Sequence, residues 1–330
     1  MHVAVLTGGG DCAGLDTVVR TLTLSLLNRH IRVTGIERGY WGLMRQQWRA
    51  LRRVDMQSHS DVGGSLLGCH NRAQPFADPE HGGQDVSRQV LESARAHHID
   101  GIVAVGGDGT ASIAARLHAQ GLPHLVVPKT IDNDLAGTQR CVGFDTAVSV
   151  ACEALERLRT TARSHRRVLI LQTMGRQTGW LALHAGVSAQ ADVILLPEFP
   201  FSIEKLVQHC LQRAAAPRQG HTLICAAEGV DVEAVQRVLA QRLPCEVRHV
   251  RLGHVQRGGP PTACDRLLAT QLAHAAALDA ASGHFGHLVG WQAQGCQRVA
   301  LTDAESLTRS VPAEHPLVKA AMDLGVSLGQ

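Results

Sequence analysis

Pro128-Lys129-Thr130-Ile131-Asp132-Asn133-Asp134 carries two carboxylates and a hydroxyl on one short segment. The segment directly follows Leu125-Val126-Val127, an apolar run that is typical of a strand buried on both faces of a sheet. In an open α/β sheet, ligands bind in the crevice past the carboxyl ends of the strands. We therefore expect Asp132 and Asp134 to lie at the ligand-binding edge of a parallel sheet.

A glycine-rich loop follows the preceding apolar run. Gly101-Ile102-Val103-Ala104-Val105 predicts a second strand, which ends in Gly106-Gly107-Asp108-Gly109-Thr110. Glycines let main-chain amides approach a phosphate, and Asp108 is suited to hold Mg²⁺. A base, a phosphate cradle and a metal-binding carboxylate are what phosphoryl transfer to a hydroxyl requires, so these residues indicate a kinase. The same loop occurs in NAD kinases and lipid kinases, and alone it does not name the substrate.

Another glycine loop, residues 8–14, lies between the predicted strand Val3–Leu6 and a predicted helix at 16–28. Its amides and the helix dipole are suited to a phosphate, although glycine-rich turns also serve tight packing. It is not a P-loop, because no Gly-Lys-Ser/Thr follows.

Composition sets the class of protein. The chain has 330 residues, which favours two domains, and 45% of them are apolar. A formal charge of +3 does not indicate nucleic-acid or membrane binding. The nine cysteines contain no C-x-x-C pair, which favours reduced thiols. The sequence shows neither a signal peptide nor an apolar run of about 18–20 residues, so we expect a soluble, cytoplasmic protein.

Short apolar strands alternate with helical patterns along the chain, which predicts a parallel sheet covered on both sides. Residues 44–86 are polar, show little periodicity and predict a long, functional connection. Because no linker is evident, we expect the two domains to exchange chain more than once.

Four motifs in this order resemble the 6-phosphofructokinase family. They are Gly106–Thr110, Pro128–Asp134, Met174-Gly175-Arg176 and Leu252-Gly253-His254-Val255-Gln256-Arg257-Gly258-Gly259, and the similarity runs from Val3 to about residue 290. The resemblance implies phosphoryl transfer to the 1-hydroxyl of fructose 6-phosphate. It also implies two doubly wound, Rossmann-like α/β domains with the active site in the cleft between them. The expected bounds are 1–143 plus 256–306 for the donor domain, and 144–255 plus 307–330 for the sugar-phosphate domain.

The resemblance implies a role for each matching residue. Asp132 matches the general base, Thr130 a residue that positions the substrate, and Asp134 a carboxylate that organises Mg²⁺ with Asp108; Arg176 and Gly10 complete the expected catalytic group. The residues that match sugar-phosphate contacts are Thr130, Asp132, Arg167, Met174, Gly175, Arg176, Glu228, Arg248, His254 and Arg257. Those that match donor contacts are Gly10, Tyr40, Arg72, Gly107, Asp108, Gly109, Thr110 and Lys129. The spacing around Arg72 is one residue longer than the commonest family spacing.

Two positions bear on the phosphoryl donor, which is ATP or pyrophosphate in this family. Pyrophosphate enzymes generally carry Asp at the position of Gly109 and Lys at that of Lys129. An Asp would fill the space of the α-phosphate of ATP and repel it, whereas a lysine near phosphates suits either donor. We therefore favour ATP, with pyrophosphate as the alternative.

The chain departs from the family at other positions. Ala13 and Asp16 replace the usual Pro and Asn, and the sequence does not explain the extra acid. Of the basic cluster that holds effectors in regulated bacterial enzymes, Arg20 and Arg159 remain. Regulation by ADP or phosphoenolpyruvate is therefore not expected. The positions where further Arg or Lys are expected are Leu24, Pro217, Gln219 and Gly220.

Two other functions remain to be weighed. A non-catalytic regulatory subunit of the same fold usually lacks one of the residues Asp108, Asp132, Asp134 or Arg176, and this chain has all four. An NAD kinase would not account for Thr-Ile-Asp-Asn-Asp or for the His254 and Arg257 pair. Arg167 and Arg248 match residues that reach the 6-phosphate from a neighbouring subunit, so the resemblance implies a homo-oligomer, with a tetramer favoured over a dimer.

Overall fold

Two compact units make up the chain. The computed structural model describes residues 1–57, 62–216, 220–304 and 308–330. The first unit comprises 1–131, 135–145 and 257–308, and the second comprises 132–134, 146–256 and 309–330. The sequence prediction assigned 132–134 to the donor domain, whereas the contacts of this segment group it with the second unit.

The strands and helices alternate along the chain. The strands are β1 (His2–Thr7), β2 (Arg32–Ile36), β3 (Trp48–Ala50), β4 (Gly101–Gly106), β5 (His124–Pro128), β6 (Val168–Gln172), β7 (Val193–Leu195), β8 (Thr222–Ala226), β9 (Val247–Arg251), β10 (His287–Gln292) and β11 (Gly295–Ala300). The helices are α1 (Leu15–Leu27), α2 (Tyr40–Met44), α3 (Ser87–Ala96), α4 (Asp108–Ala119), α5 (Phe144–His165), α6 (Trp180–Ser188), α7 (Ile203–Ala215), α8 (Val232–Arg242), α9 (Ala263–Ala281), α10 (Leu301–Ala304) and α11 (Pro316–Asp323).

The sheet of the first unit has, in the described residues, the order β11-β10-β5-β4-β1-β2-β3. The central pairs β2–β1, β1–β4 and β4–β5 are parallel, and every residue of β1, β4 and β5 is buried. Continuous burial explains why these strands read as unbroken apolar runs rather than as alternating ones. Because parallel strands share one carboxyl edge, the loops that follow β1, β4 and β5 lie side by side.

The sheet of the second unit is parallel in the described part of the chain, with the order β7-β8-β6-β9. Its β6 and β8 are buried throughout, while β9 lies at the edge and exposes Arg248 and Arg251. Leu206, Ile224 and Leu239 are fully buried in the core around this sheet. The predicted α/β class, with two units built on parallel sheets, is confirmed.

Antiparallel strands at the edges of the first sheet were not predicted. β3 pairs antiparallel with β2, and β11 pairs antiparallel with β10. β3 falls within the polar segment 44–86, where the sequence indicated only a connection. The rest of that segment contains two short 3₁₀ helices, Arg53–Met56 and Pro79–His81.

Asp279, near the end of α9, anchors the β10–β11 hairpin. Its carboxylate accepts hydrogen bonds from His287 Nε2 at 2.7 Å and from Arg298 Nη2 at 2.5 Å. Burial acts to raise the pKa of Asp279, but the hydrogen bonds from Arg298 and His287 outweigh it and hold the pKa below its usual value. The ionised form of Asp279 is therefore the one that stabilises the hairpin.

We predict that Asp279→Asn lowers the free energy of unfolding by roughly 1–3 kcal/mol at pH 7, because charge-assisted hydrogen bonds are lost while the shape is kept. Since the pKa is depressed in the folded state, this contribution is complete above about pH 4, the unfolded-state value, and is lost as the pH falls through the folded-state value. Urea unfolding midpoints of the two proteins should differ at pH 7 and converge in acid. Arg88→Gln, which breaks the exposed Arg88–Glu92 pair, serves as the control. Equal midpoints at pH 7 would contradict the role of Asp279.

Candidate active site

The loops after β1 and β4 pack around one buried threonine. Thr110, in the first turn of α4, is 5% exposed. A Cβ at Gly8 would lie 2.4 Å from Thr110 Oγ1, and a Cβ at Gly106 would lie 2.2 Å from the same atom. Neither position can hold a side chain unless Thr110 moves. Thr110, which the resemblance placed among the donor contacts, thus fixes the spacing of the two glycine loops.

Gly109 has open space beside it. Apart from its chain neighbours and the backbone of its own helix, no atom of the described residues lies within 4 Å of a Cβ built at this position. Asp108 and Gly109 are exposed at the N-terminus of α4, which follows the N-cap residue Gly107. The first amides of a helix have no partner within the helix, and the helix dipole favours an anion there. This end of α4 is a suitable site for a phosphate.

Lys129 ties the first glycine loop to the end of β5. The residue is 3% exposed, and its main-chain N donates to Gly106 O at 3.0 Å. Its Nζ donates to Gly8 O at 2.8 Å and also to Gly10 O. The ammonium group of Lys129 is thus directed at main-chain carbonyls, a contact that the sequence did not predict.

Gly10 and Arg257 lie against each other within the first unit. A Cβ at Gly10 would lie 2.0 Å from Arg257 Nη1, so only glycine lets the guanidinium occupy this place. The preceding residue, Gln256, is 1% exposed; its Oε1 accepts from Met174 N at 2.6 Å, and its Nε2 donates to Ala147 O at 3.3 Å. The sequence gave Gln256 no role of its own, although it lies inside the Leu252–Gly259 motif.

The three residues Asp132, Asn133 and Asp134 are buried, at 7%, 3% and 4% exposure. Asn133 has a φ of 52°, in the left-handed region that asparagine tolerates better than most residues. Its conformation turns the chain between the two carboxylates. Arg309 contacts this segment from the C-terminal part of the chain: its N donates to Asp134 O at 2.6 Å and its Nη2 to Asn133 O at 2.8 Å.

A cavity of about 510 Å³ lies in the second unit at the carboxyl edge of its sheet. Thr173, Met174, Glu228 and Arg251 are among the residues that line it. Glu228 Oε2 accepts a hydrogen bond from Arg176 N at 2.8 Å, which joins two of the predicted sugar-binding positions. An open cavity of this size with Glu228 and Arg251 in its lining suits a sugar phosphate.

Gly175 and Arg176 both have positive φ values, of 131° and 51°. A Cβ at Gly175 would lie 2.8 Å from Thr178 O, so a side chain there would clash with the main chain. The glycine allows the tight turn that brings Arg176 N to Glu228.

Arg167 and Arg248 share one carboxylate on the second unit. Glu246 Oε2 lies 2.6 Å from Arg167 Nη2, and Glu246 Oε1 lies 2.6 Å from Arg248 Nη2. The Arg248 side chain remains 65% exposed, and His254 is also exposed. Two guanidinium groups against one carboxylate leave an excess positive charge, as a phosphate site needs.

Two of the predicted donor contacts, Tyr40 and Arg72, differ in their exposure to solvent. Tyr40 is 2% exposed and lies in the core of the first unit, where burial raises the pKa of its phenol. Its burial does not favour the side-chain contact with a donor that the resemblance implies. Trp41, the next residue, stacks on His70 with ring centroids 5.8 Å apart, and Arg38 Cζ lies 4.1 Å from its ring centroid. Arg72 is exposed beside His70.

The structure accounts for one departure from the family. Asp16 is 4% exposed, and its Oδ1 accepts from Leu66 N at 2.7 Å. This contact holds the carboxylate against a main-chain amide, and neighbouring Ala13 is 2% exposed.

At the expected effector positions, Arg20 Nε donates to Met56 O at 3.2 Å. Arg159 Nη2 donates to Gln190 O at 2.9 Å and also to Ala189 O, at the end of α6. Pro217 and Gln219 lie outside the described residues.

Two further findings concern metals and membranes. In the described ranges, no three His, Cys, Asp or Glu side chains come together as a metal site. Likewise, none of the described helices combines the length and apolar character needed to cross a membrane.

Comparisons with known proteins agree on the family. The sequence model of the family described as Phosphofructokinase matches residues 2–279. A Chloroflexus aurantiacus protein named ATP-dependent 6-phosphofructokinase is 39% identical, over 99% of this chain and 98% of its own length. An Amycolatopsis methanolica protein named pyrophosphate–fructose 6-phosphate 1-phosphotransferase is also 39% identical, over 96% of this chain and 97% of its own length.

A solved structure has the same fold. Phosphofructokinase from Saccharomyces cerevisiae matches with a TM-score of 0.81 and 28% identity over 92% of this chain. This chain spans 45% of the length of that yeast chain. With a family model that matches most of its residues and relatives that match nearly all of them, the chain belongs to the phosphofructokinase family.

Proposed function

We propose that this phosphofructokinase transfers a phosphoryl group from ATP to the 1-hydroxyl of fructose 6-phosphate, with Asp132 as the general base. The observation that carries the proposal is the buried segment at 132–134, where Asp132 and Asp134 flank a left-handed Asn133. Two carboxylates in fixed, different surroundings are able to perform different tasks. Asp132 serves the acceptor hydroxyl, and Asp134 serves the metal.

The reaction moves one proton and one phosphoryl group. Asp132 takes the proton of the 1-hydroxyl as the sugar oxygen forms a bond to the terminal phosphorus of ATP. The bond between that phosphorus and its bridging oxygen breaks, and ADP leaves with the electron pair. Since this transition state is loose, the residues act mainly through positioning and charge stabilisation. Thr130 and Arg176 position the sugar and the phosphoryl group.

Asp108 and Asp134 would hold Mg²⁺, which fits their chemistry because the ion prefers carboxylate oxygens and keeps waters and donor oxygens as its other ligands. When bound, the ion neutralises charge on the donor phosphates. Asp108 is exposed beside the helix N-terminus of α4, next to the open space at Gly109. That end of α4 receives the donor phosphates.

The sugar phosphate is proposed to occupy the cavity lined by Met174 and Glu228. Glu228 would accept from a sugar hydroxyl, since its other contact, Arg176 N, leaves carboxylate lone pairs to spare. Positive groups would hold the 6-phosphate. They are Arg167, Arg248, His254 and Arg257.

Two features of the structure support ATP as the donor. A Cβ at Gly109 meets no neighbouring atom, which leaves open the space that the α-phosphate of ATP would need. Lys129 Nζ is engaged by the carbonyls of Gly8 and Gly10, so this lysine serves to hold the first glycine loop rather than to mark a pyrophosphate site. Pyrophosphate remains the alternative, since the A. methanolica relative is named for it.

A homotetramer in the cytoplasm is the setting that we propose. Arg167 and Arg248 lie together on the exposed edge of the second unit, where a neighbouring subunit would receive them. The cytoplasmic location follows from the place of this family in glycolysis.

Asp132→Asn is expected to lower kcat by about 10²–10⁴-fold, because a positioned base contributes that much. The KM for fructose 6-phosphate should change little, since the amide keeps the shape. Steady-state kinetics with ATP and Mg²⁺ measure both. Asp323→Asn, at an exposed position, is the matched control. Turnover above about a tenth of wild type would show that Asp132 is not the base.

Gly109→Asp is expected to lower kcat/KM for ATP by more than tenfold, about 1.4 kcal/mol, through repulsion of the α-phosphate. Gly109→Ala is the control, because a methyl group meets nothing within 4 Å. Assays with ATP and with pyrophosphate, each at saturating Mg²⁺, give the donor preference. A wild-type preference for pyrophosphate of tenfold or more would refute the choice of ATP.

Mixing two inactive variants tests whether residues of two neighbouring subunits complete one active site. Asp132→Asn disables the site of its own subunit, whereas Arg248→Ala disables the site of its neighbour. Co-refolded subunits should regain activity, because the second variant supplies Asp132 and the first supplies Arg248 to the same site. Asp132→Asn mixed with His254→Ala should stay inactive, because His254 matches a phosphate ligand that serves the same subunit's site as Asp132. A fully active monomer by light scattering, or no recovery in the first mixture, would contradict the proposal.

A further inference from the structure

The chain returns to the 132–134 segment through Arg309, which is 176 residues away from Asn133 in sequence. Arg309 supplies two hydrogen bonds to main-chain carbonyls: its N to Asp134 O at 2.6 Å and its Nη2 to Asn133 O at 2.8 Å. All of these residues belong to the second unit. Arg309 therefore contacts the two consecutive peptide groups, 133–134 and 134–135, that flank Asp134.

These contacts hold the main chain of the 132–134 segment, which carries both carboxylates. Asn133 has a φ of 52°, which costs energy for a residue with a side chain and persists only where the surroundings hold it. The orientation of the peptide groups on either side determines where the Asp132 and Asp134 side chains point. By holding Asn133 O and Asp134 O, Arg309 fixes both peptide groups that flank Asp134, and it acts on Asp132 through the left-handed Asn133.

Arg309 is itself held by a second set of contacts. Its guanidinium carbon lies 4.3 Å from the centroid of the Trp180 ring, a cation–π distance. Trp180 Nε1 donates to Arg309 O at 2.7 Å, and Trp180 is 3% exposed. The His315 ring packs edge-on against the same tryptophan at 5.1 Å. The guanidinium is thus fixed on a buried aromatic surface.

The chain after Arg309 is anchored as well. Val311 N donates to Glu198 Oε1 at 3.0 Å, and the same oxygen accepts from Gly179 N at 2.9 Å. Gly179 is the N-cap residue of α6, the helix that begins with Trp180. One carboxylate therefore joins the Arg309 segment to the helix that carries its aromatic support.

We propose that Arg309 is a positioning residue for the phosphoryl-transfer reaction, acting through the main chain of the 132–134 segment. The inference rests on the proposed role of Asp132 as the base. Arg309 donates to the carbonyl oxygens of Asn133 and Asp134, and it thereby holds the metal carboxylate directly and the base through Asn133, in the geometry that the reaction requires. A misplacement of about 1 Å is enough to cost on the order of 10²-fold in rate.

Arg309→Met tests the proposal, because methionine keeps much of the length and removes every guanidinium donor. We expect kcat to fall by about 10–100-fold, with the KM for fructose 6-phosphate changed less than about threefold. Arg309→Lys should recover part of the rate, since an ammonium can reach one of the carbonyls but lacks the planar, stacked fork. Trp180→Phe keeps an aromatic face and loses only the donor to Arg309 O, so its effect on kcat should be smaller.

The control is Arg298→Met in the first unit. Arg298 is also held by a short contact, since its Nη2 lies 2.5 Å from Asp279 Oδ1. It should lower the urea unfolding midpoint and leave kcat within about twofold. If Arg309→Met does the same, Arg309 is structural only and the proposal is overturned. A raised KM with unchanged kcat would also overturn it. Should Arg309→Met fail to fold, Arg309→Lys and Trp180→Phe decide the question by the same criteria.

A double-variant cycle separates this inference from the proposed function. If Arg309 acts through the 132–134 segment, Arg309→Met should slow the Asp132→Asn or the Asp134→Asn enzyme far less than it slows wild type. Equal effects in all three backgrounds would overturn the inference while Asp132 remained the base. High activity of Asp132→Asn by itself would refute the base, and the inference with it.

Discussion

The parallel pairing of β1, β4 and β5 is the constraint on which the rest of the first unit depends. Because the three strands run in one direction, their carboxyl ends bring the loops at Gly8, Gly106 and Lys129 to one edge. Their close approach leaves room for glycine alone at Gly8 and Gly106, where Thr110 fills the space. Lys129 then joins the first and third loops through Gly8 O and Gly10 O. The direction of the strands therefore brings together the loops of the candidate phosphate site.

In the second unit, the main constraint is a backbone conformation at Asn133 that costs energy. Asn133 adopts a left-handed φ between two buried acids, a conformation that asparagine tolerates better than most residues but that still costs energy. The compensation comes from Arg309 and, behind it, from Trp180. A short catalytic segment thus takes its rigidity from residues far away in the chain. This explains why the contacts of 132–134 group it with the second unit although its flanks belong to the first.

Sequence reasoning predicted the parts of the fold that depend on local pattern. Buried parallel strands such as β4 and β5 have continuous apolar runs, and their bounds in the structure are within one residue of the predicted ones. The edge strands β3 and β11 were missed, because edge strands are partly exposed and lack such a run. The open space at Gly109 agrees with the choice of ATP as donor, which rested on the residue type alone. The contact of Asp16 with Leu66 N was beyond sequence reasoning, since it depends on which way one carboxylate points.

Sequence reasoning was equally unable to predict the contacts of Lys129 and Arg309 that bear on function, because they also depend on where a side chain points. A lysine at 129 is a family marker for pyrophosphate only if its ammonium group faces the donor, and residue identity does not specify that direction. Here the ammonium group donates to two loop carbonyls, which satisfies much of its hydrogen-bonding capacity within the protein. Arg309 carried no sequence signal, because it lies outside the recognisable motifs, and its hydrogen bonds to Asn133 O and Asp134 O are made with main-chain atoms. Main-chain contacts of this kind place few demands on the residue type of the partner. Side-chain patterns in the sequence therefore do not predict such contacts, although the contacts influence where the side chains of Asp132 and Asp134 point.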